Sequence, residues 1–431
     1  MDKWIVLVAC CARSFLVSGC LKSNGVLLDE MVLRLSTTHA TVAWIFSLQN
    51  GLSYIMAPVT TSLAKTFGKR PTAICGGVLT GLSYIYCGIY VRSPWQLLLA
   101  FVVSGIGFGL MSVTAYILVK DHFKEEYPLM ISVSLTFNYI GLALLPLLLQ
   151  YFRDHFGQQI SLVLFGAVLW NLVACGVAFR EPRDIQNGTK TNPSANERRY
   201  QLHVEKTSSN SAVISTYFFW CDSLIHHPIL AIYCIVELLT YYVYISWALF
   251  LVSLGTSAGL EPDQAVLLST SGGMGGFLGK IAVVALFHYG KINSISGWFV
   301  PSFINGISLL GCALSSSQYI LTVLTFISGF CLGVINSVMV GLLPTAVCSR
   351  HFQQAMVLSC ICDGIGVQFG GFASGAIHDL FGSTPLVFVF DAVVCFISLP
   401  LILGWWYEIN KDKDCTTSHP SAVTTTSDNG N

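Results

Sequence analysis

Charge is scarce in this chain: only 10% of its 431 residues are Asp, Glu, Lys or Arg, where an ordinary soluble domain carries about a quarter. So few charges cannot dress a water-facing surface of this size, which leaves lipid as the main solvent. Neither sign is in excess, since 22 basic residues balance 22 acidic ones. The basic footprint of a nucleic-acid partner is therefore missing. Catalytic signatures are missing as well. No loop pairs a nucleophile with a base, and Cys360-x-Cys362 lacks the second ligand pair that a structural metal site needs, so enzyme chemistry, a metal and a cofactor are all unexpected. Fifteen cysteines would suggest a disulfide framework in a small secreted protein. Here nearly all lie inside apolar runs, as do Cys10, Cys87 and Cys312, and they read as small packing residues.

What the chain has instead is apolar length. Apolar residues make up 54% of it and mean hydropathy is +0.67. Crossing ~30 Å of hydrocarbon takes about 20 residues per helix. Twelve runs meet that requirement: 4–28, 41–64, 71–90, 94–119, 128–149, 161–179, 228–254, 264–288, 296–314, 319–346, 352–378 and 384–407. Lys and Arg stay in cytoplasmic loops, and they segregate sharply. With the N-terminus inside, the cytosolic segments hold sixteen, including Lys65, Lys69 and Arg70 after the second run and six between Arg180 and Lys206. The outer loops hold three, Arg34, Arg92 and Arg153. Both termini are thus expected in the cytosol, and the plasma membrane is the expected location. Residues 180–227 are polar and mixed in charge, a disordered cytosolic linker by composition, which leaves the Asn187-Gly188-Thr189 sequon unused. The tail 408–431 reads the same way.

The chain is also written twice. Ser104-Gly105-Ile106-Gly107-Phe108-Gly109 recurs as Ser328-Gly329-Phe330-Cys331-Leu332-Gly333, Phe67-Gly68-Lys69 as Tyr289-Gly290-Lys291, and Asp154-His155-Phe156-Gly157 as Asp379-Leu380-Phe381-Gly382. The offsets are 224, 222 and 225 residues, so the three pairs stand in register. The fold expected is all-α: a polytopic protein of twelve transmembrane helices in two pseudo-symmetric six-helix bundles, 1–179 and 228–407. Duplicated halves around a midplane site are the plan of many secondary transporters.

The order of motifs resembles the monocarboxylate-transporter family of the major facilitator superfamily. Asp2 and Trp4 are what survives of that family's acidic, Gly- and Trp-rich opening. Lys22-Ser23 fits its helix 1, Trp44 its helix 2, and Phe67-Gly68-Lys69-Arg70 the turn that follows. His122-Phe123 fits the helix 4–5 turn and Arg180-Glu181-Pro182 the exit from helix 6. There are departures. Glu126 and Tyr127 replace a basic pair, and the helix 8 Asp and Arg become Gly276 and Lys280. The resemblance implies a divergent member that moves a small organic acid. It also implies protons and a single-span accessory membrane glycoprotein as partners, although the missing helix 8 acid argues for weak or absent proton coupling.

A charge at the bilayer centre costs roughly 2.5–3.5 kcal/mol on insertion scales, so such residues are paired or functional. Arg13, Glu237, Lys280 and Asp363 all fall about 12–16 Å above the cytoplasmic ends of their runs, at 1.5 Å per residue. Two cations and two anions in one layer can neutralise each other as structural ion pairs, or can form a substrate or gating site. Lys22 lies higher, near the outer mouth, and Tyr241 and Tyr244 share a helix face with Glu237. Asp363 is the candidate for a titrating group. Lys280 closes a glycine-dense run, Ser271–Gly279, which admits either unwinding of helix 8 or close helix packing. The reading that follows is a transporter of a small organic anion, in the first place a monocarboxylate. Lys22 would attract the anion at the mouth and Lys280 would bind it deeper. A neutral or zwitterionic solute, or a non-transporting receptor on the same fold, are the alternatives.

Overall fold

The computed structural model describes residues 2–181, 228–288, 295–346 and 352–417. Apart from one short 3-10 turn, every regular element among them is an α-helix. That follows from the solvent: in hydrocarbon each backbone N–H and C=O must find its partner within the segment, and a helix does this. The helices are α1 (Asp2–Leu35), α2 (His39–Ile55), α3 (Ala57–Phe67), α4 (Lys69–Tyr90), α5 (Pro94–Phe123), α6 (Tyr127–Leu169), α7 (Asn171–Ala178), α8 (Pro228–Ser257), α9 (Pro262–His288), α10 (Ser296–Leu314), α11 (Gln318–Ala346), α12 (Phe352–Phe381) and α13 (Thr384–Thr417). We call the end where α1 begins proximal and the end where it finishes distal.

Among the described residues ten stretches are long and apolar enough to span a membrane. Two local features bring the crossings to twelve. α2 and α3 form one crossing broken at Met56, where Pro58 cannot donate a backbone hydrogen bond. In the other case one stretch, Leu129–Ala178, holds two crossings. Gly157 turns the chain within it, at φ 75° and ψ 170°. Gly141 lies against Phe15 and Arg153 reaches Val26 and Glu30, so this part of α6 runs alongside α1 toward the distal end. Beyond the turn Gly166 meets Ile85 and Gly176 meets Ile74 on α4, so the chain comes back.

The repeats of sequence are repeats of structure. Gly105 and Gly109 of α5 pack on Gln49 and Met56 in the α2–α3 crossing, while Gly329 and Gly333 of α11 pack on Gly272 and Gly276 of α9. The same glycine pair thus fits the fourth crossing to the second and the tenth to the eighth. Gly157 and Gly382, paired in the third repeat, both hold positive φ, 75° and 61°, where a side chain would be strained. The counterpart of Phe67-Gly68-Lys69, at 289–291, lies outside the described residues. At the proximal end the three remaining motifs of the first half converge. Lys69 Nζ stands 2.9 Å from Asp121 and 3.6 Å from Glu181, and His122 Nε2 is 2.8 Å from the Arg180 carbonyl.

The halves meet along α2 with α12, α6 with α9, and α1 with α8. Polar bonds cross this seam from Asn336 Nδ2 to the Tyr139 hydroxyl (3.1 Å) outward to the distal end. There Asp379 of α12 accepts the backbone N–H groups of His39 (3.0 Å) and Ala40 (2.7 Å) in the first turn of α2. Ser253 of α8 donates to Asp29 of α1 at 2.8 Å, and Gln150 of α6 donates to Asp263 of α9 at 3.1 Å.

Because a Cβ on Gly329 would run into the Gly272 backbone whereas one on Gly404 would meet nothing within 4 Å, Gly329→Ala should lower the melting temperature of the detergent-solubilised protein by several degrees. Gly404→Ala should leave it unchanged. Equal melting curves for the two variants would show that close approach at this repeat is dispensable.

Candidate functional site

Lys22, Arg13, Glu237, Tyr241, Tyr244, Lys280 and Asp363 come from α1, α8, α9 and α12, and all but the two tyrosines are buried. Lys22 is completely enclosed. It does not stand open at a mouth. Its ammonium lies 3.4 Å from the centre of the Trp247 ring and donates to the Trp247 carbonyl at 3.1 Å. Gly25, one helical turn on, lets α1 press against the α8 backbone at Ala248 and Leu249. Trp247 is pinned from the far side by Gly272. Lys22 is therefore a rivet between the halves, made by a cation–π contact that desolvation strengthens.

Nearer the proximal end the charges sort by sign. Arg13 donates to Ser112 (2.9 Å) and Ser14 (2.8 Å), and its guanidinium lies 5.0 Å from the Tyr116 ring centre. Across the seam Lys280 points its ammonium toward the Tyr139 ring, 5.7 Å from the centre. Among the described residues no carboxylate lies within 4.0 Å of either cation. The acids gather with each other. Tyr233 donates to Glu237 Oε1 at 2.8 Å, while Asp363 neighbours both Glu237 and the Tyr241 hydroxyl. Glu237 Oε2 and Asp363 Oδ1 are buried without a hydrogen-bond partner. The layer is not a set of direct ion pairs. It holds two cations, Arg13 and Lys280, each apart from the acids, and two acids, Glu237 and Asp363, that neighbour each other. Tyr241 packs edge-on against Tyr54 at 5.7 Å and against Tyr244 at 6.1 Å, which sets aromatic surface beside the acids. Asp391, the sixth intramembrane charge, accepts from Ser246 at 2.6 Å and ties α13 to α8 away from this layer.

The glycine run before Lys280 stays helical throughout α9. Its glycines face three neighbours: Gly275 and Gly279 fit α11, Gly273 and Gly276 fit Ala143 and the Tyr139 ring of α6, and Gly272 lies between Trp247 of α8 and α11. Of the two readings open for that run, close packing is the one the structure contains. The space beside Gly276 is filled by the Tyr139 ring.

Two clusters escaped the sequence. Inside the first half, Asn24 donates to Gln49 (2.9 Å), Tyr84 to Asn24 (2.9 Å), and Gln49 to Ser104 (2.6 Å). These residues come from four crossings, and nothing within any one run marks them as partners. At the distal end Asp29, His39, His378 and Asp379 meet. Hydrogen bonding to Asp29 and then Asp379 raises the pKa of His39 above its ordinary value, against the opposing effect of burial. Only Asp379 carried a signal, as the partner of Asp154 in the repeat.

A family model described as Major Facilitator Superfamily matches residues 10–300. The chain belongs to that superfamily. Within it the chain is a distant relative of the monocarboxylate transporters. It is 22% identical to monocarboxylate transporter 3 of Rattus norvegicus over 387 residues, covering 89% of this chain and 76% of that one. It is 23% identical to monocarboxylate transporter 13 of Bos taurus, covering 90% and 85%. Against monocarboxylate transporter 11 of Mus musculus identity is 30% over 178 residues, or 41% and 40% of the two chains. Among solved structures, the nucleoside transporter NupG superposes with a TM-score of 0.74 at 11% identity, covering 94% of this chain and all of that one. A POT family transporter in complex with 5-aminolevulinic acid gives 0.71 at 14% identity, covering 94% and 96%. These likenesses are of fold. This superfamily member is a multi-pass membrane transporter, and the solute it takes must be argued from its own site.

The rivet can be measured by a double-mutant cycle. Lys22→Met and Trp247→Leu should be strongly non-additive in unfolding free energy, with a coupling of about 2 kcal/mol for a desolvated cation–π pair. A coupling near zero would mean that Lys22 and Trp247 are merely neighbours.

Proposed function

We propose that this transporter moves a small organic anion, in the first place a monocarboxylate, by alternating access of its two halves. One observation carries the reading. Arg13 in the first half and Lys280 in the second are buried, 2% and 8% exposed, with no carboxylate within 4.0 Å among the described residues. A buried cation without a counter-charge is costly, and a carboxylate entering from water would supply one between the two helices. The hydroxyls of Ser112 and Ser14 at Arg13 and the ring faces of Tyr116 and Tyr139 complete a site for a small acid with an organic body. The low-identity relatives named as monocarboxylate transporters support the same substrate class.

Glu237 and Asp363 supply the other half of the cycle. Two neighbouring acids with unpartnered oxygens, and with no cation beside them among the described residues, cannot both be ionised cheaply in a low dielectric. A proton shared between them would enter with the anion, standing in for the helix 8 acid that Gly276 lacks. The same pair favours a second reading, a zwitterion whose ammonium faces Glu237 and Asp363 while its carboxylate faces Lys280. Both readings place the distal end outside the cell and the termini in the cytosol, as the segregation of Lys and Arg favours; the plasma membrane is the proposed location.

Uptake of labelled monocarboxylates and amino acids into cells expressing the chain decides between the two. Monocarboxylate uptake is expected, and Lys280→Gln should reduce it roughly tenfold or more with surface expression unchanged, because the bound anion loses its buried partner. Normal uptake by Lys280→Gln would remove the cation from the site. Acidic external medium should accelerate the parent, and Asp363→Asn should flatten that dependence. A parent already flat between pH 6 and 8 would sink the shared-proton mechanism. Tags at either terminus should stain only after permeabilisation; staining of intact cells would invert the orientation.

A further inference from the structure

The distal end holds a group of side chains that anion binding does not use. His39 opens α2, and His378 and Asp379 close α12. Each offers a ligand atom, and the three atoms lie within 4.8 Å of one another. The two imidazole rings are 3.9 Å apart, centre to centre. His39 Nδ1 is 3.0 Å from Asp379 Oδ1, and His378 Nδ1 is 3.9 Å from the same oxygen. A tetrahedral zinc ion with bonds of ~2.0–2.2 Å separates its ligand atoms by roughly 3.3–3.5 Å, between the two observed values. A small closing movement by His378 would complete the set.

Two further observations point to a metal. His378 Nδ1 is buried and lacks a hydrogen-bond partner. His39, meanwhile, has its other nitrogen, Nε2, 3.5 Å from the Asp29 carboxylate. A histidine ligand backed by a carboxylate on its second nitrogen is how proteins fix the tautomer and orientation of metal-bound imidazole. Asp29 is itself held by the Ser253 hydroxyl at 2.8 Å. Two imidazoles and one carboxylate are a donor set suited to Zn2+, with the fourth position left to water. The three ligand side chains keep 18–25% of their surface exposed.

We propose that the distal end binds one Zn2+ through His39, His378 and Asp379, with Asp29 behind His39, and that the ion fastens the two halves of the transporter together. His39 and Asp29 belong to the first half, and His378 and Asp379 to the second. A bound ion therefore selects the arrangement in which the distal ends touch, and only its effect on transport rests on the alternating-access reading.

The test uses the purified full chain in detergent, titrated with Zn2+ against a chromophoric chelator. The parent should bind at this site, with His39→Gln and His378→Ala each weakening affinity at least tenfold. Asp29→Asn should weaken it about tenfold, as loss of a carboxylate behind a ligand does. His155→Ala, a distal histidine outside the cluster, should change nothing. Circular dichroism establishes that each variant is folded, and His378→Gln replaces any that is not. Binding undiminished in both His39→Gln and His378→Ala overturns the site. Hydrogen exchange then reads the fastening: Zn2+ should slow exchange in peptides covering 33–42 and 376–384 together. Slowing on one side only overturns the bridge. In cells, Zn2+ should suppress monocarboxylate uptake in the parent and not in His378→Ala. Suppression equal in the two overturns the arrest by this ion. No uptake of any solute, with zinc binding intact, counts against the transport reading and not against the metal site.

Discussion

Lipid gives two apolar helices no hydrophobic reason to associate, because the tails they would leave are as apolar as the side chains they would meet. Association must come from close contact, and in this protein contact is reached by removing side chains. α9 is the extreme case. Three of its glycines admit the backbone of α11 and two admit α6, so one helix is fitted into its own half and against the other half at once. Gly141 does the same for α6 on Phe15 of α1, and Gly25 for α1 on α8. Everything placed on these helices, Lys280 and Lys22 included, inherits its position from how near the backbones come.

Polar side chains then divide the work. Within the first half the Asn24–Gln49–Tyr84–Ser104 network joins four crossings, with every amide and hydroxyl aimed at a partner. The buried charges nearer the proximal end are matched sparingly. Arg13 and Lys280 have no acid beside them among the described residues, and Glu237 and Asp363 keep one oxygen each unpartnered. Two buried cations and two buried acids that no neighbouring opposite charge matches among the described residues place an electrostatic cost where a solute can relieve it.

Much of this was legible from composition and register. Sparse charge and apolar run length marked a membrane bundle, and the repeats at Ser104 and Ser328 and at Gly157 and Gly382 marked its duplication. Those repeats are legible because a glycine forced by backbone contact or by positive φ tolerates no substitute. Constant helical rise gives Arg13, Glu237, Lys280 and Asp363 an expected depth. Azimuth was not legible. Whether Lys280 meets Asp363 or Tyr139 depends on rotations of separate helices, which no local pattern records. Lys22 shows the same limit: its height was readable, but Trp247, 225 residues away, decides that it is sealed rather than open. The distal histidines were invisible for a related reason, as His39 and His378 each stand alone in sequence and acquire a neighbour only when α2 meets α12.

The first turn of α2 has a property of its own. The N–H groups of His39 and Ala40 are bonded to the carboxylate of Asp379, which belongs to the opposite half, while Thr38 caps the helix only at Thr41. Helix ends are ordinarily closed by residues beside them in the chain, and their capping energy, typically ~1 kcal/mol, is a fixed local quantity. Here it is a function of conformation. Any state with the distal ends parted strips α2 of two acceptors and of the negative charge that favours its positive pole. Helix-terminus chemistry has thereby become part of the equilibrium constant between states. A substitution as slight as a better local cap at Thr38 would act at a distance, by making α2 indifferent to whether its partner is there.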